Sequence, residues 1–129
     1  MTTLGELMSR DVIDVAPEDT LGEAAERMTA GGVGSAVVLD HGRLIGILTE
    51  RDILEAVADR VHSSEARVRQ WMTVDPVTAV ESTTAHEALE TMMEHGFRHL
   101  PVVEGERTLG IVSIRDVMRA GLAMAADRS

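Results

Sequence analysis

The sequence predicts an α/β fold, α+β in its detail, made of two pseudo-symmetric β-α-β-β-α repeats packed sheet to sheet. Three observations predict it. Sliding the chain by 64 residues aligns 4–56 with 68–120 without a gap and yields fifteen identical pairs, among them Met8/Met72, Gly46/Gly110, Arg51/Arg115 and Asp52/Asp116. Within each copy, short apolar runs of strand type alternate with stretches whose apolar residues recur at helical spacing. Each copy also carries an apolar strand with a glycine that runs into a hydroxyl residue and an Arg-Asp pair. These are Leu44 to Asp52 and Thr108 to Asp116.

The elements follow in order. Leu4 to Met8 is a short helical turn that docks Leu4 and Leu7, and Val68 to Met72 repeats it with Trp71 in place of Leu7. Val12 to Val15 is a strand closed by Pro17, which cannot continue a ladder. A helix starts after Thr20, where Thr20 and Glu23 have capping-box spacing, and it buries Ala24, Ala25 and Met28 until Gly31-Gly32 stops it. Ala36 to Leu39 and Leu44 to Leu48 form a hairpin around Asp40-His41-Gly42. A helix from Glu50 to Arg60 then buries Ile53, Leu54 and Val57.

The second copy repeats this plan. Val77 to Val80 is a strand, Thr84 to Glu94 a helix, and His99 to Val103 and Leu109 to Ser113 a hairpin. A last helix runs from Ile114 to Ala126, before a frayed tail of Asp127-Arg128-Ser129. Residues 1–62 make the first repeat, 63–67 the linker and 68–129 the second repeat. A unit of about 50 residues buries too little surface to stand alone. The two copies should therefore share one module, with a cleft at each strand-to-helix junction, where helix N-termini favour ligands.

Composition narrows the function. The net charge is −10, and all twelve basic residues are arginine. So acidic a surface repels phosphate backbones and argues against nucleic acid as the partner, yet local arginine forks remain suited to a small anion. The core must be built from Val, Ile, Leu, Ala and Met, because Phe and Trp occur once each and Tyr not at all. No cysteine is present, which excludes thiolate chemistry and disulfides. No apolar run approaches the roughly 18 residues of a membrane span, and the N-terminus lacks a signal-peptide pattern, so no membrane partner and a cytoplasmic location are expected.

These motifs resemble the paired cystathionine-β-synthase (CBS) domain, or Bateman module. The resemblance rests on the tandem β-α-β-β-α plan, on Gly-Ile-Leu-Thr-Glu-Arg-Asp-Ile at 46–53 and Gly-Ile-Val-Ser-Ile-Arg-Asp-Val at 110–117, and on Phe97-Arg98-His99-Leu100-Pro101-Val102-Val103. Met8 with Asp11, and Met72 with Asp75-Pro76, match the family's lead into each copy. The match covers almost the whole chain and looks like a stand-alone pair. It implies a non-catalytic regulatory sensor that binds an adenosine-containing ligand (AMP, ADP, ATP, S-adenosylmethionine, NAD or a cyclic dinucleotide) and needs no other cofactor. It also implies a homodimer whose shape an unidentified protein partner reads. The family's ribose-holding pair carries over to Thr49 and Asp52, and to Ser113 and Asp116.

The chemistry of those residues supports two roles. A carboxylate accepts two hydrogen bonds from a vicinal diol, and such charge-assisted bonds are the strong ones. The same Thr/Ser-x-x-Asp spacing is also a helix cap, worth about 1 kcal/mol. The other two helices use Thr-x-x-Glu (Thr20/Glu23, Thr84/Glu87), and the shorter Asp at both junctions tilts the reading toward a ligand. Adenine would need an apolar slot: Val12, Ile13, Val33, Ser35 and Ala36 in copy one, and Pro76, Val77, Phe97, His99, Leu100 and Pro101 in copy two. Arg51 and Arg115 are phosphate candidates or solvated helix-start arginines. Arg98 stands where copy one has Gly34 and is the better phosphate candidate. His99 stands where copy one has Ser35, either against a base or as an edge residue. The two sites should therefore differ, with copy two the fuller.

Other patterns carry less. His86, Glu90 and Glu94 fall on one helical face, a solvated charged face rather than a metal site. Gly31-Gly32-Val33-Gly34 lacks P-loop spacing and its lysine. No nucleophile motif is present, and no catalytic residue is assigned. The methionines Met28, Met92, Met93 and Met118 suit adaptable core packing or a dimer face. Ala56, Ala58, Ala120, Ala123, Met124 and Ala125 are expected to build the homodimer face.

Overall fold

A computed structural model describes residues 1–128, with side chains through Gly121. The elements are α1 (Leu4–Leu7), β1 (Asp14–Val15), α2 (Leu21–Gly31), β2 (Ser35–Asp40), β3 (Arg43–Thr49), α3 (Glu50–Ala58), α4 (Val68–Trp71), β4 (Thr73–Val74), α5 (Ala85–His95), β5 (His99–Glu104), β6 (Arg107–Ser113) and α6 (Ile114–Arg128). This is a mixed α/β fold of two repeated units.

The packing units are offset from the sequence repeats. One unit is Val12–Pro76, and the other joins Met1–Asp11 to Val77–Ser129. The leading turn of each copy thus packs with the other copy's hairpin and helices.

In the Val12–Pro76 unit, four strands lie in the order β1-β2-β3-β4. β1 runs parallel to β2, with Asp14 opposite Val37 and Val15 opposite Val38. β2 and β3 form an antiparallel hairpin that sets Ser35 against Thr49. Its tight turn uses His41 and Gly42, both at positive φ. α2 opens on a complete Thr20–Glu23 capping box and closes on Gly32 in the left-handed region. Val15, Leu21, Ala24, Met28, Ala36, Val38, Leu48, Ala56 and Val68 form the core. The segment between the copies is part of this unit. Ala66 is buried in the same core, and the carbonyls of Ser63 and Ala66 accept from the N–H groups of Gly22 and Leu21, satisfying donors that a helix start leaves open.

The other unit repeats the plan with thinner strands. β5 and β6 pair antiparallel, with His99 opposite Ser113 and a register irregularity after Val102 that matches the one after Val38. Isolated bridges stand in for the flanking strands: Ala79 with Val102, and Ser9 with Ile111. Leu4, Met8, Ala88, Met92, Leu100, Val102, Val112 and Val117 form its core.

The structure corrects several expectations. Val77 to Val80 form no strand, and Ala79 alone bridges to β5, whereas β4 was not foreseen. On α3, Leu54 and Val57 are 68% and 63% exposed, while Ala56 points into the core. Ile53 packs against the same core beside Ala56, so α3 turns its Ile53–Ala56 side inward and leaves Leu54 and Val57 outside. Ala120 is likewise buried, so neither alanine can build an outer face. Met28 and Met92 are core residues, and Met93 and Met118 are exposed. The side chains of Ala123, Met124 and Ala125, and the end of the tail, lie outside the described residues.

Candidate functional site

Each junction is built where a hairpin strand turns directly into a helix. In copy one β3 ends at Thr49 and α3 begins at Glu50, so Thr49 is the N-cap. The Thr49 N–H and hydroxyl donate to Asp52 Oδ2 at 2.8 and 3.1 Å, and the Asp52 N–H donates to Thr49 Oγ1 at 3.3 Å. In copy two the Ser113 N–H and hydroxyl donate to Asp116 Oδ2 at 3.1 and 2.9 Å, and the Asp116 N–H donates back to Ser113 Oγ at 3.2 Å. Asp thus closes a capping box as well as Glu does. The corresponding Thr20 N–H to Glu23 bond is 3.4 Å, longer than its Asp52 counterpart. The choice of Asp over Glu therefore does not by itself set capping aside.

The cap nevertheless leaves chemistry unspent. Both of its bonds to the carboxylate converge on Oδ2 in each junction. Oδ1 of Asp52 and of Asp116 accepts no hydrogen bond among the described residues. Both aspartates are half-buried, whereas Glu23 and Glu87 of the other boxes are exposed. Partial burial pushes the Asp52 carboxyl above its ordinary pKa, against the opposing pull of its hydrogen bonds from Thr49. A half-desolvated carboxylate with a vacant oxygen is a strong acceptor for a neutral donor such as a sugar hydroxyl.

Around Asp52 the chain gathers Ser35, opposite Thr49 across the hairpin, and Ile13, whose carbonyl accepts from the Val37 N–H at 3.0 Å. Val12, Ile13 and Val33 are half-buried, and Ser35 is buried. Ala36 points into the core and offers nothing to a slot. Around Asp116 the hairpin gathers His99, opposite Ser113, and Arg98, whose carbonyl accepts from the Ile114 N–H at 2.8 Å. Leu100 belongs to the core, and Pro101 is fully buried with its carbonyl bonded to the Ala79 N–H. Strand alternation turns Ala36 and Leu100, next to Ser35 and His99, toward the core, and Pro101 is covered. Phe97 stacks on His95 at 5.7 Å between ring centroids, a pairing the sequence reading missed although the two lie at i, i+2 around a helix end. Val77 is half-buried beside this core, and Pro76 is the last residue of the Val12–Pro76 unit.

The charged candidates separate clearly. Arg51 pairs with Glu55 at 3.5 Å along α3. Arg98 and Arg115 are exposed and have no acidic partner among the described residues. His86 pairs with Glu90 at 2.9 Å, and among the described residues no three acidic or histidine side chains gather as a metal site would need. No helix among them is long and apolar enough to cross a membrane.

Two hairpin-to-helix junctions, each with a half-buried Asp closing its own cap, mark the chain as a tandem α/β repeat. The chain belongs to the CBS domain family, whose model matches residues 4–59 and again 68–123. It is 40% identical over 121 residues to an uncharacterised 17.7 kDa protein of Acidianus ambivalens, covering 92% of this chain and 73% of that one. It is 37% identical over 116 residues to inosine-5′-monophosphate dehydrogenase of Methanocaldococcus jannaschii, covering 88% of this chain but only 22% of the enzyme. Among solved structures, a CBS-domain protein of Agrobacterium tumefaciens superposes with a TM-score of 0.85 at 39% identity, covering 92% of this chain and 98% of that one. A CBS domain pair crystallised with 5′-methylthioadenosine and S-adenosyl-L-methionine gives 0.88 at 25% identity, over 96% and 98% of the chains. CBSX2 in complex with AMP gives 0.78 at 25% identity, over 97% and 99%.

Proposed function

We propose that this protein is a non-catalytic regulatory module that binds an adenosine-containing ligand at its strand-to-helix junctions. The observation that carries the reading is the Oδ1 on each half-buried aspartate, which accepts no hydrogen bond among the described residues. Thr49 and Asp52 in copy one, and Ser113 and Asp116 in copy two, hold the ribose diol. Val12, Ile13 and Ser35 flank the base in copy one, with Val77 and His99 doing so in copy two. Arg98, with Arg115, receives a phosphate. Relatives of the same fold that were crystallised with AMP, S-adenosyl-L-methionine and 5′-methylthioadenosine support the ligand class. Ligand binding shifts the population of module conformations, and a separate protein partner reads that shift. A second copy of the chain covers the exposed Leu54 and Val57 of α3.

A second reading is favoured by the completeness of both capping boxes: the aspartates cap helices and nothing more, and the module is an oligomerisation scaffold. Thermal unfolding against AMP, ADP, ATP, S-adenosylmethionine, NAD and a cyclic dinucleotide separates the two. A ligand at about 100 times its Kd adds about 2.7 kcal/mol, which raises the midpoint by several degrees. The sensor reading expects such a rise with at least one ligand, lost in Asp52→Ala combined with Asp116→Ala. No rise with any of them, in a protein that still self-associates, establishes the scaffold.

A further inference from the structure

The two junctions carry opposite charge at one structurally equivalent place. In copy one, Gly34 precedes the strand, and the Glu50 carboxylate folds back over it. A Cβ on Gly34 would meet Glu50 Oε1 at 3.1 Å and Oε2 at 3.3 Å. The Glu50 N–H is bonded to the Gly34 carbonyl at 2.9 Å, which fixes this proximity. In copy two the same backbone bond joins Ile114 to Arg98 at 2.8 Å. There the glycine is replaced by an arginine and the glutamate by an isoleucine. Copy one therefore puts a carboxylate into the space where the copy-two side chain of Arg98 begins.

The neighbours deepen the contrast. The first two turns of α3 carry Glu50, Asp52 and Glu55, and the one arginine among them, Arg51, is paired with Glu55. Those of α6 carry Arg115 and Arg119 with Asp116 alone, and neither arginine has an ion-pair partner among the described residues. An anion at the copy-one junction meets uncompensated like charge, while one at the copy-two junction meets guanidinium donors suited to phosphate.

Resting on the adenosine reading above, we infer that the junctions divide adenosine ligands by charge. The Asp116 junction selects a 5′-phosphate through Arg98. The Asp52 junction, guarded by Glu50, rejects phosphate and takes an adenosine ligand whose 5′ group is neutral or positively charged. Glu50 and Arg98 are then the specificity-determining residues. Burial of Asp52 adds to the effect, because a partly desolvated carboxylate tolerates a second negative charge poorly.

Isothermal titration of the full chain with AMP and, separately, with 5′-methylthioadenosine tests this. The expected result is one tight AMP site per chain, weakened about tenfold or more by Arg98→Ala, as loss of a charge-assisted hydrogen bond implies. Glu50→Gln, an exposed isosteric change, should raise the AMP stoichiometry from one to two per chain. Two equal AMP sites in the wild type, unchanged AMP affinity in Arg98→Ala, or a stoichiometry still at one in Glu50→Gln overturns the inference. In each of those cases 5′-methylthioadenosine binding that is abolished by Asp52→Ala keeps the adenosine reading standing. Failure of both compounds to bind the wild type overturns the adenosine reading and this division with it.

Discussion

The sulfur of Met8 lies 2.7 Å from where a Cβ on Gly110 would stand, and the Ser9 carbonyl oxygen is equally close. Met72 and Gly46 repeat the relationship at 2.6 Å, with the Thr73 carbonyl oxygen at 2.9 Å. Two of the identities that reveal the duplication are therefore one physical feature. The strand gives up its side chain so that the leading segment of the other copy can cross it. In an open strand, Gly→Ala would gain about 0.5–1 kcal/mol. Here Gly110→Ala should instead cost about 1–3 kcal/mol, the usual cost of overpacking. Urea unfolding measures it, and a midpoint at or above wild type would show that the crossing segment yields freely. Met8→Ala alone should cost about 2–5 kcal/mol as a core truncation; in that background Gly110→Ala should cost less than in wild type but still something, because the Ser9 carbonyl is backbone and stays.

Leu4 makes a second case for that crossing. It is four residues from the start of the sequence yet fully buried, packed in the core with Met92, Leu100 and Val112. The Leu4 N–H bonds to the Thr83 carbonyl at 2.9 Å, ahead of α5. Leu4→Ala should then cost about 2–5 kcal/mol, as for any well-packed core leucine. A loss below about 0.5 kcal/mol in urea unfolding, typical of a surface position, would mean the leading segment is not part of this core in solution.

The duplication, the hairpins and the capped helices were legible because each rests on a local signal: a fixed offset, a two-residue turn, a Thr-x-x-Glu box. What could not be read was which side of an apolar helix faces inward. Ile53, Leu54, Ala56 and Val57 all lie on α3, and hydrophobicity alone favours burying the leucine and valine. Ala56 is buried instead, with Ile53 packed beside it. The offset of packing units from repeats was invisible for a related reason, since nothing in a sequence marks which hairpin a short leading turn will cross. The junction residues were found by pattern, but their division of labour was not. One carboxylate oxygen serves the cap while the other accepts no hydrogen bond among the described residues, and only geometry shows that.

The exposed pair on α3 leads to a prediction about self-association. Leu54 and Val57 touch little of their own unit, so Leu54→Glu should change monomer stability by no more than about 0.5 kcal/mol. If a second copy covers them, the same change buries a charge at the interface and should convert the protein to monomer in sedimentation equilibrium. An unchanged mass would place any self-association on another face.

Asp52 yields the last prediction, because its raised pKa has a definite sign. Burial disfavours the charged form in the folded state, while the unfolded chain titrates near the ordinary carboxylate value of about 3.9. Just above that value the folded protein holds the proton that the unfolded chain has released. Stability from this group is thus full below about pH 3.9 and is lost as pH rises through the folded pKa. Asp52→Asn removes the titration and keeps an oxygen to accept from Thr49. The unfolding midpoint of wild type minus that of Asp52→Asn should therefore be greatest near pH 3 and should fall as pH rises toward 6. A difference that grows with pH would mean the two bonds from Thr49 outweigh desolvation and hold the carboxylate charged. A falling difference would also bear on binding: it would mean that at neutral pH Asp52 is ionised at some cost to the fold, a cost that a ribose diol bonded to Oδ1 would offset.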